Sequence, residues 1–193
     1  MSAPGTASES SSKKKRGIRK KNQLKEGVIY KVTKLDVDGT PCEPKEVNAK
    51  WRNDCGVIAR ENCKIIWSNW KKVPEAKKNE LWSILSKRYE IPEELRDTAK
   101  EAALKNIGRS LRTFRTKLNT EYFLKGKSPL NDYGFITPNE WEEFKAQHAS
   151  EEAKARSKKF KELNKKNKFP HRLGPGGYKA KAEEWEKKGK RRS

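Results

Sequence analysis

Basic and amide side chains recur through residues 104–123, which read LKNIGRSLRTFRTKLNTEYF. Arginine can make paired hydrogen bonds to guanine edges, and asparagine can do the same with adenine. No aspartate or glutamate occurs from Ala102 to Thr120. Because an acid on a DNA-facing helix would repel phosphate, the composition of this stretch suits contact with a polyanion. The predicted DNA-contacting residues are Lys105, Arg109, Arg112, Arg115, Thr116 and Asn119.

The apolar residues of the same stretch recur every three or four positions. At about 100° per residue they form one stripe of a helix, and Lys105, Arg109 and Arg112 fall opposite to it. The spacing predicts a helix over roughly residues 93–123, with the apolar stripe on a core and the cationic face outward. Two other interpretations of that face stay open: an ordinary solvated helix surface, or a contact surface for an acidic protein.

Two further amphipathic segments can supply the core on which this stripe packs. VPEAKKNELWSILSKRYEIP places its large apolar residues near one face, and TPNEW at residues 137–141 begins another helix. In TPNEW, Thr137 can cap the helix and Glu140 can close a capping box. These signals predict a mainly α fold, a small helical bundle with a core rich in tryptophan and phenylalanine. The predicted core residues are Trp67, Trp70, Leu81, Trp82, Leu85, Leu104, Ile107, Leu111, Phe114, Leu118, Trp141 and Phe144.

The patterns before and after this bundle define the other regions. After residue 25 a brief apolar alternation predicts a short extended segment, and Pro44 opens a short helix that we expect to end at Gly56. The helix that starts at TPNEW is expected to continue into a long, Lys-rich helix over 138–168. The predicted regions are a basic tail (1–25), an extended and short-helix arm (26–66), a helical domain (67–150) and a Lys-rich helix with a basic tail (151–193).

The net charge of +21 is concentrated at the two ends of the chain. Residues 1–25 hold eight lysines and arginines and one acid, and residues 151–193 hold 16 and six, whereas residues 26–150 hold 23 and 19. Both ends are too polar to build a core, so we expect disordered termini. Two basic clusters near the start are typical of a nuclear import signal and of phosphate contacts. They consist of Lys13, Lys14, Lys15, Arg16, Arg19, Lys20 and Lys21.

The three cysteines, Cys42, Cys55 and Cys63, do not have the spacing of a zinc-ligand pair, and His148 and His171 are remote in sequence. We expect reduced, mostly buried thiols and neither a metal nor another cofactor. No apolar run approaches the roughly 18 residues that a membrane span needs, so no membrane partner is expected. The sequence also holds no pattern that indicates a small-molecule substrate.

The order of these segments resembles a known family. GVIARENCKIIWSNWKKVPEAKKNELWSIL is followed by RTFRTKLNTEYF, then by PNEWEEF and by SKKFKELNKKNKFPHRLGPGGYKA. This succession is similar to the plant transposase-associated proteins of the Ptta/En/Spm type, found with CACTA-class transposable elements. The resemblance implies a plant source and a nuclear, transposon-derived protein with a DNA-related role. The helical middle also resembles a Myb or trihelix module, although Phe114 stands where such a module has a tryptophan.

Transposase chemistry needs clustered carboxylates that hold two metal ions on a mixed sheet-and-helix fold. The aspartates of this chain lie in unrelated contexts, so we predict no catalytic activity. The predicted function is that of a nuclear protein that binds duplex DNA through a basic helix and basic tails. Two alternatives stay open: the helix over 138–168 could serve an oligomer or a transposase partner, or the basic tails could bind RNA.

Overall fold

The structure is a computed structural model that describes residues 24, 27–166 and 185. The described part is mainly helical, which confirms the predicted fold class. Its helices are α1 (Lys45–Asn62), α2 (Glu75–Ser86), α3 (Arg96–Glu121), α4 (Pro138–Ala149) and α5 (Glu151–Lys166). Its short strands are β1 (Tyr30–Lys31), β2 (Lys34–Leu35), β3 (Pro41–Glu43) and β4 (Tyr89–Glu90). Single 3-10 turns cover Trp70–Lys72, Glu93–Leu95 and Phe123–Lys125.

Helix α1 packs along α3, and together they form the centre of the core. The apolar residues of α1 recur at spacings of three and four, so they lie on one face of the helix. That face is buried, and Trp51 in its middle is fully enclosed. The buried residues of the face are Val47, Trp51, Cys55, Ile58 and Ala59.

The prediction that this helix ends at Gly56 is wrong, because α1 runs on to Asn62. An ideal Cβ at Gly56 would lie 4.0 Å from Ser110 Oγ of α3 and 3.5 Å from Nη1 of Arg60. The glycine therefore lies beside α3, where burial of the flanking face outweighs its cost of about 1 kcal/mol in a helix interior. Residues 26–66 do not form an arm, since α1 is a central helix of the bundle.

Two pairs of short strands accompany the helices within the described residues. β1 and β4 pair in parallel, with Tyr30 opposite Tyr89, and β2 and β3 pair antiparallel. The turn between β2 and β3 has Gly39 at φ +75°, a conformation that glycine adopts without steric cost. The predicted extended segment after residue 25 is therefore present, and its β1 strand joins the segment that follows α2.

The segment after α3 forms a second aromatic cluster, which the sequence patterns did not predict. The ring of Phe114 meets Tyr133 edge to face, with 5.0 Å between the centroids, and Phe135 lies 5.7 Å from Tyr133. Tyr122 donates a hydrogen bond of 2.9 Å to the carboxylate of Asp132. These contacts hold the C-terminal half of α3 in place.

The predicted capping box at the start of α4 is confirmed. The amide of Glu140 donates to Thr137 Oγ1 over 3.2 Å, and the amide of Thr137 donates to Glu140 Oε2 over 3.3 Å. The single helix predicted over 138–168 is instead two helices, because α4 ends at Ala149 and α5 begins after Ser150. Ser150 Oγ accepts the amide of Ala153 over 3.3 Å, which starts the new helix.

Most of the predicted core residues are buried, and three are only half-buried. The exceptions are Trp67, Trp70 and Leu104. Trp67 and Trp70 belong to the segment between α1 and α2, which packs against the outside of the core, so both indoles are only partly buried. The buried members are Leu81, Trp82, Leu85, Ile107, Leu111, Phe114, Leu118, Trp141 and Phe144.

The chain divides into two compact units at the boundary between Trp141 and Glu142. The first unit contains α1, α2, α3 and the four strands. The second contains most of α4 and all of α5. In the second unit, Phe144 is buried and its ring stacks on His148 with 4.0 Å between the centroids.

Candidate nucleic-acid interface

Helix α3 presents one buried and one exposed face. Its inner face carries seven buried residues at helical spacing, which pack on α1, on α2 and on neighbouring segments such as the one after α3. The helix therefore cannot rotate about its axis without exposing apolar surface. The opposite face is consequently held outward. The buried residues are Ala99, Ala102, Ala103, Ile107, Leu111, Phe114 and Leu118.

Three predicted contact residues, Lys105, Arg109 and Arg112, are exposed on the outer face of α3. Lys105 and Arg112 are seven positions apart, about 10 Å along the helix axis. Within the described residues none of the three forms an ion pair, whereas lysines on α2 and α5 pair with glutamates three residues away. For Arg109 and Arg112 the difference follows from the sequence, because no acid lies three or four residues from either of them. Glu101 lies four residues before Lys105, but the structure does not pair the two.

Arg115 is one of the predicted DNA-contacting residues, and the structure gives its side chain a contact within the protein. Its Nη1 donates a hydrogen bond of 2.5 Å to the main-chain carbonyl of Ile65, and the side chain is half-buried. Burial lowers the pKa of this guanidinium below its ordinary value. Arg115 therefore ties α3 to the segment after α1. A helical wheel could not show this, because the acceptor lies 50 residues away in sequence.

Thr116 and Asn119 lie beside the three cations in different ways. Thr116 is exposed, but its hydroxyl donates to the carbonyl of Arg112 over 3.0 Å. The hydroxyls of Thr113 and Thr120 likewise donate to the main-chain carbonyl four residues before each of them in α3. These hydroxyls keep acceptor capacity only, so Thr116 is a poor candidate for donation to a base or a phosphate. Asn119 is half-buried on the flank of the helix.

One flank of α3 is covered by the segment between α1 and α2. The Trp70 indole lies against Gly108, where an ideal Cβ would come within 2.8 Å of Trp70 Cδ2. The amino group of Lys78 in α2 lies 5.9 Å from the centroid of the same indole ring. Any residue larger than glycine at position 108 would displace the ring, so Gly108 is required for close approach.

Two cations that follow Trp70 are not among the contact residues predicted from the sequence. Lys71 and Lys72 belong to the 3-10 turn and are exposed, and within the described residues neither forms an ion pair. The signal that could have found them is a second stretch free of acids, from Asn62 to Pro74. The packing of Trp70 on Gly108 and the hydrogen bond from Arg115 to the carbonyl of Ile65 show that this stretch lies beside α3.

The remaining predicted contacts lie elsewhere. The basic cluster at residues 13–21 is outside the described residues. Helix α5 is exposed along almost its whole length and carries seven lysines and arginines against three glutamates. Its Phe160 and Leu163 side chains are 57% and 50% exposed. The helix therefore presents apolar groups and positive charge together.

A small cleft of about 160 Å³ lies at the C-terminal end of α1. Arg60 and Lys64 line it together with Glu61 and Glu140, and Phe135 forms part of its wall. Since the cations and carboxylates there are equal in number, the cleft does not extend the basic surface of α3.

No family model, curated protein or solved structure matches this chain. The resemblance to transposase-associated proteins therefore stays a prediction. Within residues 24, 27–166 and 185, every helix is too short or too polar to cross a lipid bilayer. The same residues contain no group of three or more histidine, cysteine or acidic side chains placed to hold a metal ion.

Proposed function

We propose that this protein binds duplex DNA through the outer face of α3. The proposal is supported chiefly by one observation: Lys105, Arg109 and Arg112 are exposed on a helix whose other face is packed, with no carboxylate paired to any of them in the described part. Three cations kept without counter-charges on a rigid element are suited to phosphate and base edges.

Charge neutralisation supplies most of the binding free energy in this proposal. Each phosphate that a lysine or arginine neutralises releases condensed counterions, so affinity falls steeply as salt rises. The basic residues at 13–21 and those of α5 add contacts of the same kind. Base reading falls to Arg109 and Arg112, whose planar guanidinium groups can donate two parallel hydrogen bonds to guanine.

The wider biological role follows the resemblance described above. We propose a non-catalytic, transposon-derived protein that acts on DNA in the nucleus. The basic residues at 13–21 supply the import signal in this proposal. Attachment of residues 1–25 to a fluorescent reporter tests that part, because a reporter that stays outside the nucleus would overturn it.

The double substitution Arg109→Glu with Arg112→Glu tests the DNA-contact surface. It replaces two cations by two anions on the outer face, so we expect duplex affinity to fall by at least about tenfold at moderate salt. Fluorescence anisotropy of a labelled short duplex measures the affinity. Circular dichroism measures whether the helices remain folded, as expected for exposed positions.

The matched control is Lys50→Glu with Lys87→Glu. Both lysines are exposed, neither has an ion pair within the described residues, and the change in net charge is the same. If the control weakens binding as much as the α3 variant, the effect is one of net charge and the α3 surface is not the contact.

A second candidate function is an interaction between α5 and another protein. The observation that favours it is the exposure of Phe160 and Leu163, because large apolar groups in a charged helix are typical of a partner-binding face. Sedimentation at high salt tests self-association, since salt screens repulsion and leaves apolar contacts intact. A dimer that Phe160→Ser with Leu163→Ser dissociates would support this function, and a monomer would exclude self-association through α5.

A further inference from the structure

We propose that the turn Asn69–Lys72 is a second DNA-contacting element that grips the phosphate backbone beside α3, so that the surface as a whole fits a major groove. This inference rests on the proposed function of α3 and adds the flank of the helix to it. Three features of the turn support it: the turn is docked on α3, it is held in one conformation, and it carries two cations that have no ion pair among the described residues.

The turn is docked on α3. Trp70 packs on Gly108, which lies three residues after Lys105 and four residues before Arg112. All three therefore lie on neighbouring parts of one helix surface. The main chain of the turn continues from the indole to Lys71, so its cations start at the edge of the outer face of α3.

Hydrogen bonds hold the turn in one conformation. The amide of Lys72 donates to Asn69 Oδ1 over 3.1 Å, and the amide of Val73 donates to the carbonyl of Trp70 over 3.2 Å. Val73 is only 2% exposed, which anchors the end of the turn in the core. On the other side, the hydrogen bond from Arg115 holds the carbonyl of Ile65.

The turn is positively charged. Lys71 and Lys72 are exposed and, in the part of the chain that the structure describes, have no ion pair. The nearest acid that follows in sequence, Glu75, is paired with Lys78 over 3.1 Å. Lysine is a point charge without the planar fork of arginine, so these residues suit phosphate and not base edges.

The size of the surface points to a duplex. An α-helix with its side chains is about 10–12 Å across, and the major groove of B-DNA is about 12 Å wide. A helix in that groove therefore has a phosphate backbone along each flank. A docked turn that carries two lysines on one flank matches that arrangement. A single strand would not bring a backbone to the flank while α3 contacts base edges.

The test is the salt dependence of duplex binding by the full chain with Lys71→Gln and Lys72→Gln. The substitutions are at exposed positions and leave Trp70 in place. The plot of log affinity against log salt should become less steep by about 2, because each phosphate contact contributes about 0.9 to the magnitude of the slope. The matched control, Lys50→Gln with Lys87→Gln, removes the same charge at exposed positions of α1 and the end of α2, and should leave the slope close to that of the unchanged chain.

A third variant, Gly108→Ala, removes no charge. Its methyl group must displace the Trp70 ring, so the lysines should lose their position and the slope should decrease as in the lysine variant. A folded Gly108→Ala protein with unchanged binding would overturn the docking of the turn as the cause.

The outcomes separate this inference from the proposed function. If the lysine variant matches its control while Arg109→Glu with Arg112→Glu weakens binding, the turn is not a contact and the α3 surface stands. If neither variant changes binding, both proposals fail. A lysine variant that lowers the slope while affinity for single-stranded DNA falls equally would overturn the assignment to a duplex groove.

Discussion

Asp54 is buried in the core, with 4% of the residue exposed, and one oxygen of its carboxylate accepts two hydrogen bonds. Nε of Arg88 and the hydroxyl of Tyr89 each donate to Oδ2 over 3.0 Å. Burial raises the pKa of Tyr89 far above its ordinary value, and the Asp54 charge raises it further. This cluster links α1 to β4 through groups that are largely buried, so each depends on the others for hydrogen bonding.

Asp54→Asn should lower the free energy of unfolding by about 3 kcal/mol, because the largely buried Arg88 guanidinium loses the charge of the carboxylate with which it pairs. Urea denaturation measures the change. The control is Asp54→Asn with Arg88→Met, which removes both charges and should cost less than the single substitution. If the single and double variants lose the same stability, the pair is not coupled as the geometry indicates.

The three cysteines should differ in reactivity because they differ in burial. Cys55 and Cys63 are buried, whereas Cys42 is half-buried. Burial raises the pKa of Cys63 to about 12 and raises that of Cys55 as well, which keeps the reactive thiolate scarce at neutral pH. We expect one thiol to react rapidly with Ellman's reagent in the native protein and two more only on unfolding. Cys42→Ser should abolish the rapid phase, and its persistence would contradict this assignment.

At the scale of elements, two glycines in helices have opposite roles. Gly108 has the Trp70 ring against it, with 2.8 Å to an ideal Cβ, whereas at Gly56 the nearest atom is 3.5 Å away, at the end of the flexible Arg60 side chain. Both helices would gain about 1 kcal/mol from alanine if packing allowed it.

We therefore expect Gly56→Ala to raise the free energy of unfolding by up to about 1 kcal/mol. Gly108→Ala should lower it by about 1–3 kcal/mol, because overpacking forces the indole out of its position. Each variant is the control for the other, since the chemical change is the same. Thermal and urea unfolding measure both, and equal effects of the two substitutions would show that Trp70 does not pack on Gly108.

At the scale of the whole molecule, electrostatics combines a nearly balanced middle with strongly basic ends. Deletion of residues 1–25 removes eight cations and one acid, so the salt slope of duplex binding should decrease by several units. Affinity at high salt should change little, because these contacts are screened there. The loss caused by Arg109→Glu with Arg112→Glu should be as large in the shortened chain. A slope unaffected by the deletion would exclude the tail from binding.

Local sequence determined several features because the interactions behind them are local. The bundle class, the extent of α3 and the capping box at Thr137 follow from helical spacing and from side chains three residues apart. The acid-free outer face of α3 has the same origin, since pairing along a helix depends on residues three or four positions away. These features could be predicted to within a few residues.

Tertiary structure decided the features that depend on contacts between distant segments. Gly56 has the local preferences of a helix end, but burial of α1 against α3 carries the helix through it. Arg115 has the spacing of a contact residue, but its guanidinium binds Ile65, 50 residues away. Lys71 and Lys72 lie beside α3 because the Trp70 ring packs on Gly108, where a larger residue would displace it. Spacing along one chain holds no information on which surfaces meet, and packing supplies it.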